Sequence, residues 1–251
     1  MLDGAGPGQL TVGRDGQLYG RTFGGGAFGT GTAFRLLSSG RFSVIHQFGP
    51  DDQLPLYPRG NRPFIHASDG NLYSIVGGCD YDCYSSYVFR MTLDGRITGS
   101  WQVGAGNEDG PLFEGNERRL YGSAFSVPFA LDLNGNVSAI DPTEGNPQDP
   151  ALAMTPGAAG ADGTIYAFKW IRNSQPAEVQ LAKVIPPGAI RPFAAFWQNY
   201  FSPVDSTITD GRDGFLYIMT PQSGVGATGL GAILRVRIPA LSPPRGVRVV
   251  R

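Results

Sequence analysis

Short runs of alternating apolar and polar residues fill this chain, and they recur in register. The clearest mark is an apolar residue followed by tyrosine: Leu18-Tyr19, Leu72-Tyr73, Leu120-Tyr121, Ile165-Tyr166 and Leu216-Tyr217. Successive tyrosines lie 54, 48, 45 and 51 residues apart. Alternation with period two, bounded by turn residues, predicts β-strands. A repeat near 50 residues predicts a radial or stacked array of β units. Alignment on the residue four before each tyrosine needs no gaps over residues 9–20, 63–74, 111–122, 156–167 and 207–218.

Each repeat reads as two hairpins. Four of the first turns carry Asp-Gly, at Asp15, Asp69, Asp162 and Asp213. Glycine takes the positive φ that tight hairpin turns demand, so Asp-Gly between apolar runs is a strong hairpin signal. The third repeat has Glu117-Arg118 there, which predicts a different turn or local backbone strain. The second hairpin runs from Phe34, Phe89, Phe129, Leu181 or Leu234 to Gly40, Gly95, Gly135, Gly188 or Gly246. In the fifth repeat this step is lengthened by Pro239-Ala240-Leu241-Ser242-Pro243-Pro244. Each unit thus offers four short strands, A to D, represented in the first repeat by residues 9–13, 17–22, 31–37 and 42–48. Four antiparallel strands per unit is the size of a propeller blade. The expectation is an all-β, five-bladed β-propeller in a single domain. Its blades span about residues 9–62, 63–110, 111–155, 156–206 and 207–251. Closure would pack the first blade on the last, the fifth D strand being residues 246–250, or would add residues 1–8 to the fifth blade. The rival architecture, two β-sandwiches, does not explain the same unit recurring five times.

Composition fits this reading and removes several function classes. The chain has 251 residues with 37 glycines and 20 prolines, a level that the regular strand pattern assigns to turns. Its 20 basic residues balance 21 acidic ones, all arginine except Lys169 and Lys183. No polybasic run is present, so a nucleic-acid partner is not expected. No apolar run reaches 18 residues, so no membrane span is expected. Met1-Leu2-Asp3-Gly4-Ala5 lacks a basic region followed by an apolar stretch, so no signal peptide is read there. Cys79 and Cys83 lie in a Gly-flanked loop whose spacing allows a local disulfide, implying an oxidising compartment. Reduced thiols or a metal site are the alternatives.

The first repeat contains Asp15-Gly16-Gln17-Leu18-Tyr19-Gly20-Arg21-Thr22-Phe23-Gly24-Gly25-Gly26 and then Gly29-Thr30-Gly31-Thr32-Ala33-Phe34-Arg35-Leu36. This resembles the GloVer-type tandem repeat of bacterial extracellular proteins, in which Leu-Tyr-Gly-Thr-Thr, a Gly-Gly loop and Gly-Thr-Val-Phe-Lys-Leu recur. The second repeat matches through Ser68-Asp69-Gly70-Asn71-Leu72-Tyr73, Gly77-Gly78 and Val88-Phe89-Arg90. The later repeats keep the apolar-Tyr pair and lose most of the glycine loop. The resemblance implies a secreted or surface-anchored propeller and brings no catalytic motif.

Candidate chemistry lies where the repeats differ. Strand A should line the central tunnel. Three residues before each turn acid, the chain has Val12, His66, Glu114, Ala159 and Asp210. His66, Glu114 and Asp210 at one height are compatible with a divalent cation in the tunnel or with proton transfer. The simpler alternative is a solvated tunnel whose polar groups pair with each other and with water. No cofactor is otherwise expected. Glycine or alanine follows each of these positions and predicts close backbone packing near the axis.

Loops joining strands D to A and B to C should share one face. They carry Asp51, Asp52, Tyr57 and Arg59; Asp80, Tyr81, Asp82 and Tyr84; Trp170 and Arg172; and Trp197, Asn199, Tyr200 and Phe201. Flat aromatic rings beside amides and carboxylates suit sugars. Ligand contacts are therefore expected from Tyr57, Arg59, Tyr81, Trp170, Arg172, Trp197, Asn199 and Tyr200. The alternative is that these rings fill gaps between blades. Among acids, Asp51, Glu108, Asp109 and Asp210 are the best candidates for glycoside hydrolysis. His46 falls on an outer strand, at the surface or between blades. No Gly-x-Ser-x-Gly elbow occurs, and residues 24–31 lack the Lys-Ser/Thr ending of a phosphate loop. The functional expectation is a non-enzymatic extracellular propeller that binds glycans or other ligands. A carbohydrate-active hydrolase or lyase is the alternative, and a fibre or coat subunit a weaker one.

Overall fold

The structure, a computed structural model, describes residues 3–54, 62–80, 83–105, 110–124, 127–140, 152–160, 162–171, 178–185, 189–197, 207–220 and 232–239. They form five antiparallel sheets in chain order. The first contains β1 (Ala5–Pro7), β2 (Thr11–Val12), β3 (Leu18–Gly24), β4 (Thr32–Leu36) and β5 (Phe42–Gln47). The second contains β6 (Ile65–His66), β7 (Leu72–Asp80), β8 (Cys83–Met91) and β9 (Ile97–Ala105). The third contains β10 (Phe113–Glu114), β11 (Arg119–Ala124), β12 (Val127–Asp132) and β13 (Val137–Ala139). The fourth contains β14 (Leu152–Ala159), β15 (Ile165–Ile171), β16 (Glu178–Ile185) and β17 (Ala189–Trp197). Three described strands, β18 (Thr207–Asp210), β19 (Phe215–Thr220) and β20 (Ala232–Arg237), form the fifth. This is the expected five-bladed arrangement. Residues 246–250, the expected last strand, and most of the proline insertion lie outside the described residues.

First strands of adjacent sheets touch, β2 with β6, β10 with β14 and β14 with β18, which places strand A innermost. In the first sheet that strand is broken. β1 pairs with the far half of β3 (Ala5 with Gly24, Pro7 with Thr22), and β2 with the near half (Thr11 with Tyr19). The N-terminal residues therefore complete the first blade rather than the fifth. In the fourth sheet strand A is continuous from Leu152, ahead of the boundary drawn at residue 156. A bulge between Pro156 and Ala158 keeps it in register with all of β15.

The core lies between blades. One cluster joins sheets one and two through Tyr19, Ala33, Phe48, Leu72, Val76 and Phe89. Others join two to three (Tyr73, Ile75, Leu120, Phe129), three to four (Tyr121, Ala130, Ile165, Val184) and four to five (Tyr166, Phe168, Ile208, Leu216). In each, the tyrosine side of one blade meets the apolar side of the next. This follows from period-two alternation, which sends the tyrosine and its preceding apolar residue to opposite faces.

The inner turns share one geometry in four blades. In the first, Gly16 donates to the Gly13 carbonyl at 2.9 Å and takes φ +75°. In the third, Arg118 occupies that position, donates to the Gly115 carbonyl at 3.2 Å and takes φ +58°. The turn is kept and the backbone is strained, the second of the two outcomes expected from Glu117-Arg118. A left-handed conformation costs a residue with a Cβ about 1–2 kcal/mol. Part of that gain is offset by the greater freedom of unfolded glycine. Arg118→Gly should therefore stabilise the protein by about 0.5–1 kcal/mol, read as a raised urea midpoint at unchanged slope.

Candidate functional site

The recurring tyrosines and turn acids form a pair in each blade. Tyr19 donates its hydroxyl to Asp15 at 2.8 Å, Tyr73 to Asp69 at 2.7 Å and Tyr217 to Asp213 at 2.8 Å. Tyr121 donates to Glu117, and in the fourth blade the Asp162 charge acts on Tyr166. The same carboxylates cap their own turns, Asp15 accepting from the Gln17 amide and Asp69 from the Asn71 amide. Burial, then the carboxylate bond and its charge, push the Tyr19 phenol up to about 12. Tyr166 reaches about 12 through burial and the Asp162 and Asp210 charges. Tyr73 and Tyr121 are also raised, by burial first and by their carboxylate bonds second. Burial raises Asp69, but bonds from Asn71 and Tyr73 outweigh it and hold the carboxyl below its ordinary value. In four blades a glycine two residues before the acid makes room for the ring, and in the second blade Ala67 stands there. A Cβ on Gly13 would lie 2.8 Å from the Tyr19 ring and 2.4 Å from Asp15.

The axial residues are drawn into contacts between blades. His66 accepts the Arg14 amide at Nδ1 (2.9 Å), leaving its proton on Nε2. Glu114 accepts the Ser68 amide on both oxygens at 3.0 Å, and the Ser68 hydroxyl as well. In both cases the residue receives the N–H of the preceding blade's turn. The Arg14 side chain then bridges further, from Nε to the His66 carbonyl (3.0 Å) and from Nη2 to Glu114 (3.1 Å). The Ala159 side chain has no polar atom, and between the third and fourth blades Asn116 donates instead to the Asp162 carbonyl. Asp210 accepts the Arg212 amide of its own turn at 2.9 Å. Among the described residues, no three His, Cys, Asp or Glu side chains gather as a metal site. His66 and Glu114 thus share Arg14, while Asp210 serves its own turn.

A second polar site opens on the rim between the first two blades. A cavity of about 540 Å³ is lined by His46 of β5, by Asp51, Asp52 and Gln53 of the following loop, and by Arg96 through Ser100 at the start of β9. His46 Nε2 lies 3.0 Å from Asp52, whose same oxygen accepts the Gly49 amide at 2.8 Å. The His46 ring meets Phe48 edge-on at 5.0 Å. These contacts fix the short helical turn Pro50–Asp52 over the cavity. Asp51 and Arg96 are exposed at its mouth. The site therefore offers a positioned imidazole–carboxylate pair, an exposed acid, an amide and a guanidinium around a space of ligand size.

Of the loop residues expected to bind ligand, Tyr57, Arg59, Tyr81, Arg172, Asn199 and Tyr200 lie outside the described residues, as do Asp82, Phe201, Glu108 and Asp109. The backbone register places Trp170 opposite Val179 and Trp197 opposite Glu178, at one end of the fourth sheet. Cys79 and Cys83 flank the β7–β8 hairpin tip on neighbouring rungs, paired with Tyr84 and Asp80. Their sulfurs are outside what is described. Reading the sequence missed the acid–tyrosine pairs, although an acid precedes all five tyrosines by four residues. It also missed Arg14, Ser68 and Arg96, for which the repeats give no common signal. No helix among the described residues is long and apolar enough to cross a membrane.

Known structures place this architecture among the β-propellers. A putative gluconolactonase aligns over 92% of this chain and 75% of its own, with 16% identity and a TM-score of 0.54. A luciferin-regenerating enzyme aligns over 94% of this chain and 91% of its own, with 12% identity and a TM-score of 0.50. An endo-arabinase from Bacteroides thetaiotaomicron aligns over 95% and 96%, with 10% identity and a TM-score of 0.47. At these identities the likeness is one of fold. No protein-family model matches the chain, and neither does any curated protein. The GloVer likeness thus rests on the residues of the first two repeats.

Proposed function

We propose that this chain is an extracellular ligand-binding propeller that holds a polar, glycan-type ligand in the rim cavity beside His46. The observation that carries the reading is the cavity's lining: His46 fixed by Asp52, with Asp51, Gln53 and Arg96 converging on one space. Hydroxyl-rich ligands need donors and acceptors in such fixed positions, because each unpaired polar group buried on binding is costly. Asp51 and Asp52 head the first of the loops in which sugar-binding residues are expected. Tyr57 and Arg59 follow in the same loop. A hydrolase or lyase built on His66, Glu114 and Asp210 has less support. Its first two members are engaged by Arg14 and Ser68, and the third by its own turn.

Isothermal titration with a panel of neutral and acidic oligosaccharides tests the proposal. At least one sugar should bind, and Asp52→Asn and His46→Ala should each weaken it by about tenfold, the worth of one hydrogen bond to a charged group. A wild-type protein that binds nothing in the panel at millimolar concentration, or variants that bind as it does, would overturn the assignment.

A further inference from the structure

The outer strands can be compared rung by rung. The apolar residue of strand C recurs as Phe34, Phe89, Phe129 and Leu181, and the outer strand sets Val44, Ser100, Ala139 and Ala194 opposite it. Among these four blades only the second places a hydroxyl at that rung. The other three are built with an apolar side chain there, so the blade scaffold does not require the serine.

Ser100 belongs to the seam that holds the rim cavity. Cross-strand neighbours share a face of their sheet. Its partner Phe89 packs in the cluster that joins the first two blades, so Ser100 stands on the side of the second blade that meets the first. His46 stands on the facing side of the first blade, because its partner Ala33 packs in the same cluster. The two residues line the cavity of about 540 Å³ from opposite walls. The Ser100 hydroxyl is buried and has no hydrogen-bond partner among the described residues. Its polar neighbours in the lining differ. His46 and Asp52 hold each other, and Arg90 donates to the Thr98 hydroxyl at 2.9 Å. Asp51 and Arg96 are exposed, where water solvates them. A buried hydroxyl without a partner is destabilising, and native proteins keep few of them. One kept at a rung where alanine serves elsewhere points to binding rather than to the fold.

We infer that Ser100 contacts the ligand of the rim site, and that the group it takes is an uncharged hydroxyl. The inference rests on the reading of this cavity as a glycan-type site. A serine hydroxyl both donates and accepts, which matches a sugar hydroxyl in either direction. It reaches such a group by turning about χ1 among its staggered positions. The wall around it selects against charge. Phe89 is fully buried, and Phe48 meets its ring edge-on at 5.6 Å. A carboxylate or ammonium brought to this wall would exchange its water for one neutral partner, which is costly. The Asp51 and Arg96 charges stand at the mouth instead. The ligand therefore enters with a neutral, hydroxyl-bearing end toward Ser100 and keeps any charged substituent outside.

Ser100→Ala separates a binding role from a structural one. Without sugar, its urea midpoint should equal or exceed that of the wild type, because alanine stands at this rung in the third and fourth blades. A lowered midpoint would show that the hydroxyl supports the fold, and the inference would fail. With the tightest neutral oligosaccharide of the titration panel, Ser100→Ala should bind about fivefold more weakly, the worth of one neutral hydrogen bond. One monodeoxy analogue of that sugar should lose a similar factor against the wild type. Against Ser100→Ala it should bind as the parent sugar does, since the pair is already broken. Sugars that weaken with His46→Ala but not with Ser100→Ala would refute this inference alone and leave the cavity reading standing. A panel in which only acidic sugars bind would also refute it. A wild type that binds no sugar overturns both.

Discussion

Arg21→Ala is expected to destabilise the protein by about 3 kcal/mol or more. Arg21 is 1% exposed at the seam between the first two blades. Its Nη1 donates to the Ser74 hydroxyl at 3.0 Å and the Ile75 carbonyl at 3.2 Å. Its guanidinium lies 5.0 Å from the Phe48 ring centroid and 5.1 Å from that of Phe89. The cation is thus held by two charge-assisted bonds and two ring faces in a site closed to bulk solvent. Alanine removes all four contacts, opens a cavity and strands the Ile75 carbonyl. Arg21→Met keeps much of the packing and should cost clearly less, because the bulk of a long side chain contributes apart from its charge. Guanidinium unfolding of both variants, followed by tryptophan fluorescence, gives the two values. Equal stabilities for wild type and Arg21→Ala would refute the account.

The second large effect is a loss of stability at alkaline pH. Unfolded tyrosines release their protons near 10. Folded Tyr19 and Tyr166 release theirs near 12, and Tyr73 and Tyr121 are raised as well. A group whose pKa is higher in the folded state stabilises it fully below the unfolded value. That contribution drains away as pH rises through the folded value. Stability should therefore be level as pH approaches 10 and then fall steeply between 10 and 12, with four buried phenols titrating together with unfolding. The carboxylates act at the other limit. Asp15 and Asp69 are held below their ordinary range, so their contribution is present above about pH 4 and lost as pH falls through the lower folded values. Tyr73→Phe removes one phenol and should make the alkaline limb shallower; because the lost hydroxyl also helps hold Asp69 down, the acid limb should weaken with it. Urea midpoints measured across the pH range, with phenolate absorbance as a second signal, test the sign. Midpoints unchanged between pH 10 and 12 would contradict it.

The turn acids show what the repeat made legible and what it hid. Asp15-Gly16 and its equivalents are read as hairpins from two residues, because an Asp-Gly turn is a local property. The same acids also hold the tyrosine hydroxyls, and Glu117 keeps that bond although Arg118 replaces the glycine. A reading centred on the glycine sees the third repeat as an exception, whereas one centred on the acid groups it with the first, second and fifth, the fourth keeping the acid's charge beside Tyr166. His66 and Glu114 were visible as departures at one register. Their role depends on Arg14 and Ser68, which lie 52 and 46 residues away and share no pattern. His46 carried no signal beyond lying on an outer strand. Only the proximity of Asp52 and of the next blade's Arg96 gives it a cavity.

By itself the sequence determined the strands, their turns, the division into five units and which side of each strand is apolar. Alternation, turn chemistry and period act over a few residues and repeat without change. The tertiary structure decided what those units do to one another. It set Arg21 against Phe48 and Phe89 at the seam of the first two blades, joined His66 and Glu114 through one arginine and opened the rim cavity. Identical positions in the repeat acquire different environments because burial is fixed by the residues that the neighbouring blade presents.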